Sequence, residues 1–354
     1  MDSTSSPFSA ASAAAPPAAS SGPSLGRAPL DATDRMPSGG RRALVLGGGG
    51  STGNAWLIGV LAGLAQAGVA VTDADLVIGT SAGSTAAAQI GGTDPATLLA
   101  AILETSAGSP ALPGSQILPG SPALPAAQAG PPASLAASGP GSSRRPDGAV
   151  ANYLERIDRI IAVAKDPADM RRRLGASALD LSSDFDPSPR WRATVAARLP
   201  SQDWPERPTF ITAVDARTGE PVVFDRHSGL DLADAVAASC SSGFAYSAGG
   251  NAYIDGGYRA GAENADLAAG CRSVLVLSPF GGRSRTPAEW GLNLAAQAAA
   301  LSAGGSSVET VFPAADEEHL FGTSAMNPAL RPAAASAGYR QGLEMAEKLR
   351  KFWS

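Results

Sequence analysis

The stretch Leu76-Val77-Ile78-Gly79-Thr80-Ser81-Ala82-Gly83-Ser84 sets one serine between two glycines, directly after an apolar run and directly before an alanine-rich segment. That is the layout of a nucleophile elbow. A strand turns sharply into a helix, and the small flanking residues Gly79 and Gly83 let the backbone lift the hydroxyl of Ser81 into the open. In a chain with 41 glycines the string alone is weak, so its context has to carry the reading.

Upstream, Ala43-Leu44-Val45-Leu46 reads as a short buried strand, followed by Gly47-Gly48-Gly49-Gly50-Ser51-Thr52-Gly53. Beyond it Trp56, Val60, Leu61 and Leu64 keep helical spacing. The first half of the folded region therefore holds two strand, glycine-turn, helix units. Adjacent glycines leave backbone N–H groups unshielded at a helix N-terminus, where hydrogen bonds and the helix dipole together stabilise a developing negative charge. Gly48, Gly49, Gly50 and Gly53 are the candidate oxyanion loop, and Ser81 is the candidate nucleophile.

The base is constrained by the histidine count: only His227 and His319 exist, neither in a recognisable catalytic setting. Ala252-Tyr253-Ile254-Asp255-Gly256-Gly257 puts a carboxylate at the end of a short apolar strand, with Gly256 and Gly257 permitting close approach by another segment. Asp255 is the best candidate. Its reference pKa of about 3.9 makes it a weak base, so the role requires a partly dry site or a direct hydrogen bond to the serine.

These three elements, in this order, resemble the patatin-like phospholipase family. Its signature is a glycine-rich oxyanion loop, here Gly48 to Gly53, then Gly-x-Ser-x-Gly, here Gly79 to Gly83, then Asp-Gly-Gly, here Asp255 to Gly257. Thr209 to Asp215 followed by Pro221 to Phe224 resembles the hairpin such proteins place before the aspartate, and Asp231 to Cys240 resembles the helix and turn just ahead of it. The resemblance covers roughly residues 42 to 345, minus an insertion. It implies a Ser81–Asp255 dyad that cleaves acyl esters of lipids. Two positions depart from the pattern. Thr52 stands where the family often carries arginine or lysine, which bears on catalytic power. Ser241-Ser242-Gly243-Phe244 lacks the proline that commonly follows the Ala-Ser motif, which is expected to affect loop rigidity only.

Other readings remain open beside it. Gly48, Gly50 and Gly53 also fit Gly-x-Gly-x-x-Gly, but the acids Asp73 and Asp75 precede the next strand, whereas a dinucleotide site needs one at its end. Ser81, Asp255 and His319 stand in the order of an α/β-hydrolase triad, yet only one helical unit separates Gly53 from Gly79. His319, in Asp316-Glu317-Glu318-His319, reads more simply as part of a solvated acidic turn, and His227 as a loop residue. A catalytically weak lipid-binding module is the non-enzymatic alternative.

At 354 residues and 44% hydrophobic the chain has material for one large core, with no apolar run of the roughly 18 to 20 residues that spans a bilayer. Residues 1–40, rich in alanine, proline and serine and without a basic or apolar signal region, are expected to be a disordered leader of a cytoplasmic protein. Residues 41–354 are expected to form the hydrolase domain, interrupted by a low-complexity insertion at about 106–146. Inside it Gly108 to Pro113 and Gly120 to Pro125 are both Gly-Ser-Pro-Ala-Leu-Pro, with Gly114 to Pro119 in register between them. A proline closing each hexad suits neither helix nor ladder, so the segment reads as a spacer, or as a flap whose Leu and Ile touch lipid.

The net charge of −5 argues against nucleic acid as the main partner and gives no general attraction to anionic membranes, so any peripheral membrane contact has to be local. Cys240 and Cys271 show no metal spacing, and no cofactor is implied. Further along, Ala149 to Ala164 is expected as an amphipathic core helix, Arg171-Arg172-Arg173 as solvated surface, Ser273 to Leu277 as a strand, Arg285 to Leu301 as a helix and Val308 to Phe312 as the last strand. A closing helix over Ala335 to Phe352 is expected to turn Tyr339, Leu343, Ala346 and Leu349 inward. Alternating strands and helices imply an α/β layered fold with a largely parallel central sheet flanked by helices.

Overall fold

The computed structural model describes residue 1, residues 31, 32 and 35, and the segments 42–104 and 147–354. The hexad insertion and most of the stretch expected as a leader lie outside the described residues.

In chain order the elements are β1 (Arg42–Leu46), α1 (Gly50–Gln66), β2 (Leu76–Gly79), α2 (Ala82–Gly92), α3 (Pro95–Glu104), α4 (Asp147–Val163), α5 (Pro167–Leu181), α6 (Ser188–Ala196), β3 (Thr209–Asp215), β4 (Pro221–Phe224), α7 (Leu232–Ser239), β5 (Tyr246–Ala248), β6 (Asn251–Asp255), α8 (Gly257–Ala260), β7 (Ser273–Leu277), α9 (Leu294–Ala303), β8 (Ser307–Val311) and α10 (Arg331–Trp353). The strands form one sheet in the order β5-β6-β3-β2-β1-β7-β8, with β4 paired to β3. β3, β2, β1, β7 and β8 run parallel to one another along that path, while β4, β5 and β6 are joined by antiparallel pairing. Continuous apolar runs such as Ala43–Leu46 and Leu76–Ile78 are what a strand covered on both faces requires.

One layer of the core gathers α1, α2, α7 and α10 against Leu44, Leu46, Val77 and Leu275, and the opposite layer gathers Val45, Ile78, Phe210 and Val276 with Leu294 and Leu301 of α9. A third cluster packs Ile157 and Ile161 of α4 and Met170 and Leu174 of α5 against Ile254 of β6, so α4 is a core helix as its stripe predicts. α1 is buried from Thr52 to Leu64 because α10 crosses it backbone to backbone. A Cβ on Gly63 would sit 2.3 Å from the Tyr339 carbonyl oxygen, and one on Gly342 would sit 2.4 Å from that of Val60. Gly59 and Gly338 repeat the relation one turn earlier. Two pairs of glycines at helical i, i+4 spacing thus make the groove in which the helices meet.

Several expectations are corrected. The helix expected from Arg285 begins only at Leu294: Pro287 and the left-handed Gly291 interrupt the preceding segment, and Asn293 caps α9 by accepting from the Ala296 N–H. On α10 the inner face runs through Ala335, Gly338, Gly342, Ala346, Leu349 and Trp353, while Leu343 is 40% exposed, because the glycine seam rotates it outward. Arg171 is not solvated like Arg172 and Arg173 but donates to the carbonyls of Gly219 and Arg259. Within the stretch 1–40, Asp31, Ala32 and Arg35 bind the β4 hairpin: Ala32 N–H donates to the Val223 carbonyl at 2.8 Å, the Val223 N–H to Asp31, and Arg35 pairs with Asp225 at 2.7 Å.

Candidate active site

β2 ends at Gly79, and the chain turns into α2 through Ser81, which adopts φ 52° and ψ −115°. A non-glycine residue rarely takes a positive φ, and the strain persists only where the surroundings fix it. Here they do. The Ser81 N–H donates to Ser239 Oγ at 2.9 Å, and its carbonyl accepts from Ser84 N–H, Ser84 Oγ and Cys240 Sγ. Gly83 is required for a different reason: a Cβ there would lie 1.8 Å from the Leu46 carbonyl oxygen, so α2 can start only by touching the end of β1. The Ser81 side chain is left half-buried at the head of α2.

Asp255 closes β6 opposite Ala213 of β3 and is buried. Its Oδ1 accepts from the Gly257 N–H at 2.8 Å and its Oδ2 from Ser242 Oγ at 2.6 Å. Burial pushes its pKa above the ordinary carboxylate value, opposed by hydrogen bonds from Ser242, Gly257 and, weakest, Ser81. The carboxyl group is therefore desolvated, and the Ser81 hydroxyl is near enough to favour its charged form, which suits an aspartate to act as base. Behind the pair, buried Asn264 stands at φ 54° and its Nδ2 reaches Thr80 Oγ1 at 2.9 Å and the Gly256 carbonyl at 2.9 Å. Thr80 Oγ1 in turn meets Thr212 Oγ1 at 3.0 Å. This network ties the elbow, β3 and the Asp-Gly-Gly turn into one unit. A Cβ on Gly256 would fall 2.2 Å from the Thr212 carbonyl oxygen, which is why a glycine must follow the aspartate.

The glycine-rich loop runs beside the serine: a Cβ on Gly48 would stand 3.7 Å from that of Ser81. Of the amides expected as oxyanion donors, Gly48 N–H is already committed to the Ala262 carbonyl at 2.8 Å and Gly53 N–H to the Gly49 carbonyl at 3.0 Å. These two hold the loop's shape and are not available as donors. The amides of Gly49 and Gly50 have no acceptor among the described residues, and Gly50 takes a left-handed φ of 65° at the first position of α1. Thr52 is buried and donates through its N–H and Oγ1 to the Ala325 carbonyl at 3.0 and 3.4 Å. A cation reaches this turn from elsewhere. Arg331 at the start of α10 donates to the Ser51 carbonyl at 2.8 Å and to Asn54 Oδ1 at 3.1 Å, with burial and then Arg198 pushing its pKa down to about 10.

Sequence reasoning missed the end of α7. Four successive side chains there serve the site: Ser239 holds the Ser81 N–H, Cys240 its carbonyl, Ser241 Oγ the Tyr253 carbonyl at 3.2 Å, and Ser242 the Asp255 carboxyl. The departure at Ser241-Ser242 was expected to change rigidity only; instead it supplies a hydroxyl to Asp255. The hydroxyl run Ser239, Ser241, Ser242 was the available signal.

The alternatives find less support. His227 and His319 are exposed, and His319 Nδ1 lies 3.1 Å from the Asp316 carbonyl of its own turn. Neither hydrogen-bonds Ser81 or Asp255 among the described residues. Asp75 accepts from the Arg42 N–H at the start of β1, far from the role of a ribose-binding acid. Among the described residues no cluster of histidine, cysteine or acidic side chains is able to hold a metal ion.

A parallel-sheet core, a strained serine at a strand-to-helix turn and a buried aspartate beside it are the architecture found in α/β serine hydrolases. A family model described as patatin-like phospholipase matches residues 44–266, and the chain belongs to that family of lipid-hydrolysing enzymes. Solved structures to which the chain is similar include the type III effector protein ExoU, at 16% identity and a TM-score of 0.33 over 89% of this chain and 54% of that one. Full-length ExoU in complex with SpcU, from the type III secretion system of Pseudomonas aeruginosa, matches at 17% identity and a TM-score of 0.30 over 87% and 53% of the two chains. The chain thus spans about half the length of those proteins. No curated protein matches it.

Proposed function

We propose that the chain is a lipid acyl hydrolase of phospholipase A or lysophospholipase type that works through a Ser81–Asp255 dyad. The observation that carries this reading is the buried Asp255 carboxyl delivered by β6 to the elbow where Ser81 is held at φ 52°. Asp255 accepts the proton of Ser81 as Oγ attacks the ester carbonyl, forming the tetrahedral intermediate. The N–H groups of Gly49 and Gly50, at the positive end of α1, donate to the oxyanion. Asp255 returns the proton to the leaving alcohol, and the acyl group stays on Ser81. Water then attacks the acyl-enzyme with Asp255 again taking a proton, and the free acid leaves with Ser81 restored.

No helix among the described residues is long and apolar enough to cross a membrane, so contact with a lipid surface is peripheral in this reading. The domain is taken as residues 41–354 with the hexads as a spacer between α3 and α4. Competitive hydrolysis assays on a diacyl phospholipid, its lysophospholipid and a soluble short-chain ester test the substrate class. Release of fatty acid from either lipid supports it, and turnover of the short ester alone, with both lipids left intact, counts against it.

A further inference from the structure

Asp255 is a buried acid with no cation bonded to it among the described residues, and an ionised carboxylate in that position is costly unless its lone pairs are filled by donors. Gly257 fills one site on Oδ1, and the shortest of its bonds comes from Ser242 Oγ at 2.6 Å on Oδ2. Ser242 is itself held from two sides. Its N–H donates to the Cys240 carbonyl at 2.9 Å, and the hydroxyl of Tyr153, on α4, lies near its side chain. Tyr153 also bonds the hydroxyl of Tyr258, two residues beyond Gly256, and its ring edge packs over Gly243. A line of hydroxyls therefore runs from Tyr258 through Tyr153 and Ser242 to the Asp255 carboxyl. The Ser81 hydroxyl acts on the same carboxyl more weakly than Ser242 and Gly257 do.

We propose that Ser242, braced by Tyr153, is a positioning residue for the catalytic acid: it fixes the rotamer of Asp255 and keeps the carboxylate ionised so that it can take the Ser81 proton. The proposal rests on the dyad reading above. A hydrogen bond to a charged acceptor favours the charged form, so losing the Ser242 hydroxyl raises the proton affinity of Asp255. The enzyme variant then needs a higher pH to hold its base deprotonated. The other titratable groups around Asp255 do not interfere in this range. Burial pushes the Tyr153 hydroxyl up to about 12, the Cys240 thiol up to about 11 and the Tyr258 hydroxyl well above its ordinary value. Arg156 acts on Tyr153 and Arg285 on Tyr258 as the cations of this neighbourhood. On the acid side Asp255 is the group of this cluster that titrates.

The test is the pH profile of kcat/KM for the full chain on a soluble p-nitrophenyl ester, comparing wild type with Ser242→Ala, Ser242→Thr, Tyr153→Phe and Asp255→Asn, each checked by thermal melting. Ser242→Ala should move the acid limb to higher pH, losing about tenfold or more on the acid side, as expected for a hydrogen bond to a charged group, and recovering toward wild type in alkali. Ser242→Thr should restore the limb, and Tyr153→Phe should move it in the same direction by less. A limb that stays in place in Ser242→Ala, or a loss by one constant factor at every pH, overturns the proposal. If Asp255→Asn keeps wild-type activity, the dyad itself is wrong; if it is inactive while Ser242→Ala has an unmoved limb, only the positioning role falls.

Discussion

Gly79 at the end of β2 and Asp255 at the end of β6 both pair with β3, opposite Ile211 and Ala213. β2 runs parallel to β3 and β6 antiparallel, so their C-terminal ends approach head to head and stop two positions apart. The elbow that follows Gly79 and the turn that follows Asp255 are thereby delivered to one place by backbone pairing alone. Thr80, Thr212 and Asn264 then lock the junction from behind.

Asp255 makes activity and stability pull in opposite directions. Burial holds its folded pKa above the unfolded value, so the folded state binds its proton more tightly. The associated stability is present at pH below the unfolded pKa and is lost as pH rises through the folded one. Asp255→Asn should therefore abolish ester hydrolysis, as Ser81→Ala does, while its melting temperature near neutral pH stays at or above that of wild type. His227→Ala and His319→Ala should keep most activity. Loss of activity in His319→Ala equal to that of the aspartate change contradicts the dyad.

Arg331 braces the carbonyl of Ser51, next to Gly50, whose amide has no acceptor among the described residues. Replacing it by methionine keeps much of the packing but frees that turn. Turnover should fall about tenfold, short of the 10²–10³ expected when an oxyanion donor itself is removed, with KM little changed. An unaltered kcat shows that the loop holds its shape without the guanidinium.

The glycine seam between α1 and α10 predicts a stability contrast. Gly63→Ala gains helix propensity but forces a methyl against the backbone of Tyr339, so it should still destabilise by about 1–3 kcal/mol, and Gly63→Leu by more. On α10, Leu349→Ala should cost about 2–5 kcal/mol, whereas exposed Leu343→Ala should cost less than about 1 kcal/mol. Urea denaturation of the full chain measures all four. Equal costs at 343 and 349 contradict the seam.

Those same positions show where the sequence is and is not legible. The three glycine motifs and the buried strands can be read directly because each demands a residue type that little else demands: a small residue beside a strained serine, or an unbroken apolar run inside a parallel sheet. The register of α10 cannot be read from its large apolar side chains, since the contact is made by glycines, and a hydrophobic stripe counts Leu343 and misses Gly338 and Gly342. The i, i+4 glycine spacing in both helices was the usable clue. The start of α9 was also present, in Pro287, Gly291 and Asn293, but its alanine-rich composition overrode those breaks. The shape of the oxyanion loop was not legible at all. That Gly48 spends its N–H on Ala262, leaving Gly49 and Gly50 free, depends on a partner more than two hundred positions away. The same holds for Ser242, whose role exists only once β6 has brought Asp255 beside the end of α7.

The central claim is that Ser81 is the nucleophile, and covalent labelling tests it most directly. Wild-type protein treated with a fluorophosphonate probe, digested and analysed by mass spectrometry should carry one adduct, on the peptide containing Ser81. Ser81→Ala should take no label, lose hydrolysis by about 10³-fold or more, and melt as a folded protein. Label on another residue, or ester hydrolysis near the wild-type rate in Ser81→Ala, contradicts the account.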